Sequence, residues 1–333
     1  MSTLTIGLLG AGRIGKVHAS AIAATADARL VAVADAFAEP AEALAREHGA
    51  EVRSVDAIVD ATDIDAIFIT SPTDVHAEMI EAGARAGKKV FCEKPIDLDV
   101  ERVRAVLEVV EQHDALLMVG FNRRFDPNFM TLRARITAGD IGAVEMVNIV
   151  SRDPSPPPLE YMERSGGLFK DMTIHDFDMA RFMLGEEPVA VAAFGSALIN
   201  PLIVGPIGVD SAAISLLTDS GKIAQISNSR RATYGYDQRI EVHGSAGMAR
   251  AQNLHEDTVE IAGSGGYTTA PLMNFFIERY MPAYRAEVAT FVAAALHGGS
   301  VSPTGSDGLQ ALIIAEAATR SHLEGRIVEL SEI

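Results

Sequence analysis

Residues 166–178 read Gly-Gly-Leu-Phe-Lys-Asp-Met-Thr-Ile-His-Asp-Phe-Asp. Asp171, His175 and Asp178 follow one another at spacings of four and three. On a single α-helix opened by the two glycines, those spacings place all three side chains on one face. Met172, Ile174, Phe177, Met179 and Phe182 make most of the remaining surface apolar. One imidazole and two carboxylates on such a helix are costly to bury without a partner or a task. The stripe suits acid–base chemistry with His175 as base, metal binding, or a buried polar network. A second cluster is Glu93-Lys94-Pro95, which closes the strand-like run Lys89–Cys92. A lysine ammonium there can hydrogen-bond a substrate hydroxyl and stabilise the alkoxide as it develops. A cis Lys94–Pro95 bond is one way of aiming it.

The elements that must position these groups alternate in type through the first half. Strands are expected at Thr3–Leu9, Arg29–Ala34, Asp65–Thr70, Lys89–Cys92 and Ala115–Gly120. Helices are expected at Arg13–Ala24, Pro40–His48, Asp74–Ala86 and Leu98–His113. Such alternation implies right-handed βαβ units and a doubly wound parallel sheet, an α/β Rossmann domain over residues 1–122. Gly10-Ala11-Gly12-Arg13-Ile14-Gly15 lies where the first strand turns into the first helix. Its glycines permit a tight turn, close approach of the backbone to a pyrophosphate, and close helix–strand packing. Asp35 ends the second strand 20 residues after Gly15. A carboxylate there accepts hydrogen bonds from ribose hydroxyls and repels a 2′-phosphate, so NAD is expected rather than NADP. Ligands of open α/β sheets lie beyond the strand ends, which adds Ser71, Pro72, His76, Glu93 and Lys94 to the cofactor set with Gly10, Gly12, Arg13, Ile14, Gly15 and Asp35.

After Gly142 the alternation stops. Strands follow one another at Ala143–Val150, Val189–Asn200, Ser211–Thr218, Gly221–Ser227, Arg239–His243, Gly247–Ala251 and Thr258–Ile261. They imply a large, open, mostly antiparallel sheet, covered by helices at Asn274–Leu296 and Asp307–Gly325. Residues 123–333 are expected to form this α+β domain for substrate binding and oligomerisation, with the last helix able to pack back on the first domain.

Composition narrows the classes. The 333 residues are 48% hydrophobic and 22% charged, with a net charge of −17, which argues against nucleic acid and anionic membranes as partners. The apolar runs are strand-sized and the N-terminus carries no signal-peptide pattern, so neither a membrane span nor secretion is expected. The single cysteine, Cys92, excludes an intramolecular disulfide and suits a reducing cytoplasm.

The Rossmann start, Glu93-Lys94-Pro95 and Gly-Gly-x-x-x-Asp-x-x-x-His at 166–175 resemble the glucose–fructose oxidoreductase/inositol dehydrogenase family over nearly the whole chain. Ser151-Arg152-Asp153-Pro154 with the following proline run, the stretch 171–181 and Tyr234-Gly235-Tyr236-Asp237-Gln238-Arg239 are similar to its inositol-oxidising branch. The resemblance implies NAD-dependent oxidation of myo-inositol to 2-keto-myo-inositol (scyllo-inosose), with Lys94, Asp171 and His175 as the catalytic set and a homotetramer. It places substrate contacts at Arg123; an uncharged polyol also suits Asp153 and Tyr234 as ligands beside Lys94, Asp171 and His175. Asp178 is open between a substrate contact and a structural role. Other expectations stay in view: a related substrate (scyllo-inositol, chiro-inositol or glucose) or a non-catalytic NAD sensor. No metal site is expected, because neither a HExxH motif nor a cysteine set accompanies the stripe.

Overall fold

Leu4–Leu9 (β1) is apolar on both faces, as a central strand of a parallel sheet must be. The computed structural model describes residues 3–201, 203 and 208–333. From β1 the chain runs through α1 (Arg13–Ala23), β2 (Ala28–Ala34), α2 (Ala38–His48), β3 (Glu51–Val52) and α3 (Val55–Val59). It continues through β4 (Ala66–Ile69), α4 (His76–Arg85), β5 (Lys89–Glu93), α5 (Val100–Gln112) and β6 (Leu117–Gly120). The six strands lie in the order β3-β2-β1-β4-β5-β6, all parallel. Order reverses between β1 and β4, which is the ligand-binding crevice of such sheets. The sixth strand, β3, was not expected: its two residues are exposed and carry no apolar pattern.

This sheet belongs to a unit made of Met1–Phe125 and Met281–Leu312. The later segment contributes to its core. Phe291 is fully buried and meets Phe68 edge-on at 5.1 Å and Phe91 at 5.9 Å, with Val288 and Val292 beside it. Burying such a ring contributes about 1.5–3 kcal/mol.

The other unit is Asp126–Tyr280 with Ile313–Ile333. It opens with α6 (Pro127–Thr137), an unexpected helix whose start is marked by Asp126 accepting from the amides of Asn128 and Phe129 and by Pro127 in its first turn. Then come β7 (Val144–Arg152), α7 (Leu159–Arg164), α8 (Gly167–Asp171), α9 (Thr173–Leu184), β8 (Pro188–Ser196), β9 (Ser211–Thr218), β10 (Ile223–Ser229), β11 (Asp237–Gly244), β12 (Gly247–Ala251), and the exposed hairpin β13 (Glu260–Gly263) and β14 (Gly266–Thr269). Helices α10 (Phe276–His297) and α11 (Gly305–Glu324) each cross from one unit to the other, and β15 (Val328–Glu329) ends the chain's sheet pairing. The large sheet runs β12-β11-β7-β10-β9-β8-β15. Only the β7–β10 pair is parallel, so the sheet is mixed but mostly antiparallel. In β9, Ala212, Ile214, Leu216 and Thr218 are buried while Ala213 and Leu217 face out, the alternation of a sheet covered on one side. Helix α9 packs on β7 and β10, which sets what lies beneath the stripe.

Candidate functional site

The nucleotide end of the first unit is built by the turn after β1. Gly10 has φ +113°, and a Cβ there would stand 2.6 Å from the Ser71 amide nitrogen. At Gly15 a Cβ would lie 2.0 Å from the Gly10 carbonyl oxygen, so only glycine lets α1 seat on the turn. Gly12 differs: it caps α1, and a Cβ would meet nothing within 4 Å. Gly12, the residue that caps α1, has no side chain to bond its first amides, and such a helix N-terminus attracts an anion. Arg13 is exposed and Ile14 half-buried on that first turn. Asp35 accepts from the Ala11 amide at 2.6 Å and from the Phe37 amide at 2.9 Å, which ties the glycine turn to the end of β2. The residues therefore fit a dinucleotide.

His76, nearly fully buried, places Nδ1 2.8 Å from the Pro95 carbonyl oxygen and Nε2 2.8 Å from that of Ser71. It joins the two turns that carry Ser71-Pro72 and Lys94-Pro95. The Lys94–Pro95 peptide is cis, and Lys94 is half-buried. Glu93 turns inward: its Oε1 lies 2.7 Å from His18 Nε2, and His18 is caged by Phe68, Phe91 and Tyr284. Glu287 of α10 is fully buried, and neither of its oxygens has a hydrogen-bond partner among the described residues. Burial, and then the Glu93 charge, push its carboxyl well above the usual range. Arg123 is buried in the turn Asn122–Phe125, while its neighbour Arg124 holds Asp307 at 2.8 Å.

The stripe lies in the second unit, and it is not one helix. The chain turns at Met172, so Asp171 ends α8 while His175 and Asp178 ride on α9. From Asp171 to Ala180 every residue except His175 is buried. Asp178 pairs with Arg181 at 3.6 Å, and Arg181 in turn holds Glu187 at 2.6 Å, so its carboxylate belongs to a structural ion-pair chain. Asp171 is gripped on both oxygens. Arg230 Nη2 donates to Oδ2 at 2.8 Å and the Tyr161 hydroxyl donates to Oδ1 at 3.0 Å. Burial, and then the Asp171 charge, raise the Tyr161 phenol above its usual range. Asp153 lies on the same guanidinium, 3.3 Å from Nη1. Tyr234, half exposed, donates to Asp237 at 2.6 Å and accepts from Arg152 at 3.0 Å.

Arg230 and Tyr161 are the residues that sequence reasoning missed. Tyr161 lies 10 residues from Asp171 and Arg230 lies 59 away, so neither shares a motif with it. A signal existed for Arg230: it stands at the end of a strand-like run, in Ser-Arg-Arg at 229–231. Among the described residues, no group of three or more His, Cys, Asp or Glu side chains is placed to hold a metal ion.

Two family profiles cover most of the chain: an oxidoreductase family with an NAD-binding Rossmann fold at residues 4–121, and a GFO/IDH/MocA C-terminal domain at 129–250. An inositol 2-dehydrogenase of Rhizobium meliloti is 60% identical over 99% of this chain and 100% of its own. The crystal structure of a myo-inositol dehydrogenase from Corynebacterium glutamicum has a TM-score of 0.93 and 44% identity, covering 98% of this chain and 99% of that one. A scyllo-inositol dehydrogenase from Lactobacillus casei, with NAD(H) and scyllo-inositol bound, has a TM-score of 0.92 at 32% identity, covering 99% of this chain and 100% of that one.

Proposed function

The chain belongs to the GFO/IDH/MocA family of oxidoreductases, and from that premise we propose that it is an NAD-dependent inositol 2-dehydrogenase, oxidising myo-inositol to 2-keto-myo-inositol. The observation that carries this is the end-to-end identity of 60% with an inositol 2-dehydrogenase. Bound NAD supplies the hydride acceptor. The chain's own residues supply the rest. The glycine turn, the N-terminus of α1 and Asp35 hold the dinucleotide, with Arg13, Ile14, Ser71, Pro72, His76 and Glu93 lining or bracing that end. Lys94 donates to the reacting hydroxyl and stabilises the alkoxide. His175, half-buried in an otherwise buried run from Asp171 to Ala180, takes the hydroxyl proton. Asp171, at the end of α8 four residues before His175, offers a fixed negative charge and accepts from a substrate hydroxyl. Arg123, Asp153 and Tyr234 are further ligands for the polyol. We place the enzyme in the cytoplasm as a homotetramer, a reading supported by its single, buried cysteine and by the family resemblance.

A related substrate is the second reading, because one of the similar structures holds scyllo-inositol. Myo-inositol is preferred because the Corynebacterium structure, at 44% identity, is of a myo-inositol dehydrogenase. Steady-state NADH formation across myo-, scyllo- and chiro-inositol and glucose decides the matter. The highest kcat/KM is expected for myo-inositol with NAD. A higher value for another polyol would reassign the substrate, and a higher value with NADP would overturn the role given to Asp35.

A further inference from the structure

We infer that His18 is a positioning residue for Lys94: it holds the Glu93 carboxylate over Gly120, and that carboxylate takes the Lys94 amide and fixes where the ammonium stands. This rests on the role given to Lys94 above. Phe91 and Glu93 alternate onto one face of β5, the face against which α1 lays His18. His18 is wholly buried, and its Nε2–H donates to Glu93 Oε1 at 2.7 Å. The Lys94 amide donates to the other oxygen, Oε2, at 3.3 Å. One oxygen is therefore engaged by α1 and the other by the first residue beyond β5. Further along, His76 Nδ1 lies 2.8 Å from the Pro95 carbonyl oxygen. Lys94 thus stands between two residues that buried histidines hold.

Two costs mark the arrangement as built rather than incidental. Gly120 of β6 is in register with Glu93, and a Cβ there would stand 3.0 Å from Glu93 Cδ and 3.1 Å from Oε2. Glycine weakens a strand, yet here it leaves the room into which the carboxylate folds. The second cost is at His18, whose ring lies 4.9 Å from Phe91, 5.4 Å from Tyr284 and 5.9 Å from Phe68. Its Nδ1 is buried with no hydrogen-bond partner among the described residues. An unmade bond of this kind costs about 1–3 kcal/mol, which an apolar side chain of similar size would avoid. Against that cost the ring makes one hydrogen bond among the described residues, to Glu93. Glu287 of α10 feels the Glu93 charge but bonds to neither residue, so the hold on the carboxylate comes from His18.

The test uses the full-length enzyme with NAD and myo-inositol, as wild type, H18M, H18Q, G120A and H18M/G120A. Methionine fills the space without a donor, while glutamine returns an N–H near the position of Nε2. In H18M kcat should fall about 30-fold, the scale of a misplaced reacting group, with the Kd for NAD within about threefold of the wild type. H18Q should stay within about threefold of wild-type kcat, because it restores the bond to Glu93. G120A pushes on the same carboxylate from β6 and should lose about tenfold, which keeps the test open if H18M does not fold. H18M/G120A should lose no more than H18M alone, since both changes act through one carboxylate. In ¹⁵N-lysine-labelled protein the Lys94 amide resonance, assigned by its absence in K94R, should move upfield in H18M and G120A and return in H18Q. Wild-type kcat in H18M, equal losses in H18M and H18Q, or a fall in NAD affinity that matches the fall in kcat would each overturn the assignment. So would multiplied losses in the double variant, or an unmoved Lys94 amide in H18M or G120A. The amide is read without substrate, so it decides the hold on Lys94 even if the wild type oxidises no inositol.

Discussion

At the scale of single residues, the chemistry turns on which polar groups a substrate can reach. Asp171, Asp176 and Asp178 are all buried, and Asp176 is engaged by Asn228 at 2.8 Å as Asp178 is by Arg181. His175 alone in that run is accessible. Replacing it by alanine should lower kcat by about 10³-fold while the Kd for NAD, read from fluorescence, stays within about threefold. Lys94→Ala should lower kcat to a similar degree, since its ammonium acts on the reacting hydroxyl. Wild-type-like turnover in either variant would remove that residue from the mechanism. Lys94 and His175 could be nominated from the sequence because each stands in a contiguous motif. The Arg230–Asp171 pair was not, since it joins the residue after β10 to the end of α8, 59 positions apart in the sequence. Asp178 was open between a substrate contact and a structural role, and its pairing with Arg181 one turn later supports the structural one.

At the scale of elements, the glycine turn separates packing from binding. Gly15→Ala forces a methyl to within 2.0 Å of the Gly10 carbonyl oxygen, and should cost several kcal/mol, in the range of about 1–3 or more for overpacking. Among the described residues, Gly12→Ala meets no atom within 4 Å beyond its chain neighbours, so its unfolding midpoint should match the wild type while NAD affinity drops about tenfold, measured by calorimetry. Loss of stability in Gly12→Ala with full NAD affinity would reverse the two roles. Helix α10 carries the buried Glu287, which gives a signed pH effect. Its carboxyl, raised by burial and by Glu93, stays protonated in the folded chain at a pH where the unfolded chain has released the proton. Folding stability attributable to this group therefore falls as pH rises above about 4.3, by about 1.4 kcal/mol per pH unit until the folded carboxyl itself ionises. Glu287→Gln escapes that loss, so urea unfolding at pH 5, 6 and 7 should show its advantage over the wild type widening. A constant difference would mean that Glu287 is ionised in the folded chain. The break at Met172 was invisible beforehand: no Gly or Pro stands at 172, and the apolar spacing runs straight through it.

At the scale of the whole molecule, the alternation of strands and helices made the Rossmann sheet readable, and the run of strands made the second sheet readable. Short or exposed pieces escaped: β3, β14 and β15 are too brief to carry a pattern. No helix among the described residues is long and apolar enough to cross a membrane. The large sheet carries exposed Phe194 and Leu217, and a tetramer that covers them predicts a simple outcome. Light scattering should give a four-chain mass for the wild type and a smaller one for F194D/L217D; a one-chain mass for the wild type would refute the assembly. The crossings of α10 and α11 between units carry a different kind of consequence. A gene cut after codon 125 would leave the first sheet without Val288, Phe291 and Val292, and hence without part of its interior. Recombination that swaps specificities among such enzymes must therefore exchange residues 126–280 as a cassette with two junctions, not as a simple C-terminal half. The permissible crossover points in a chimaeric library are set by a helix that begins in one unit and ends in the other.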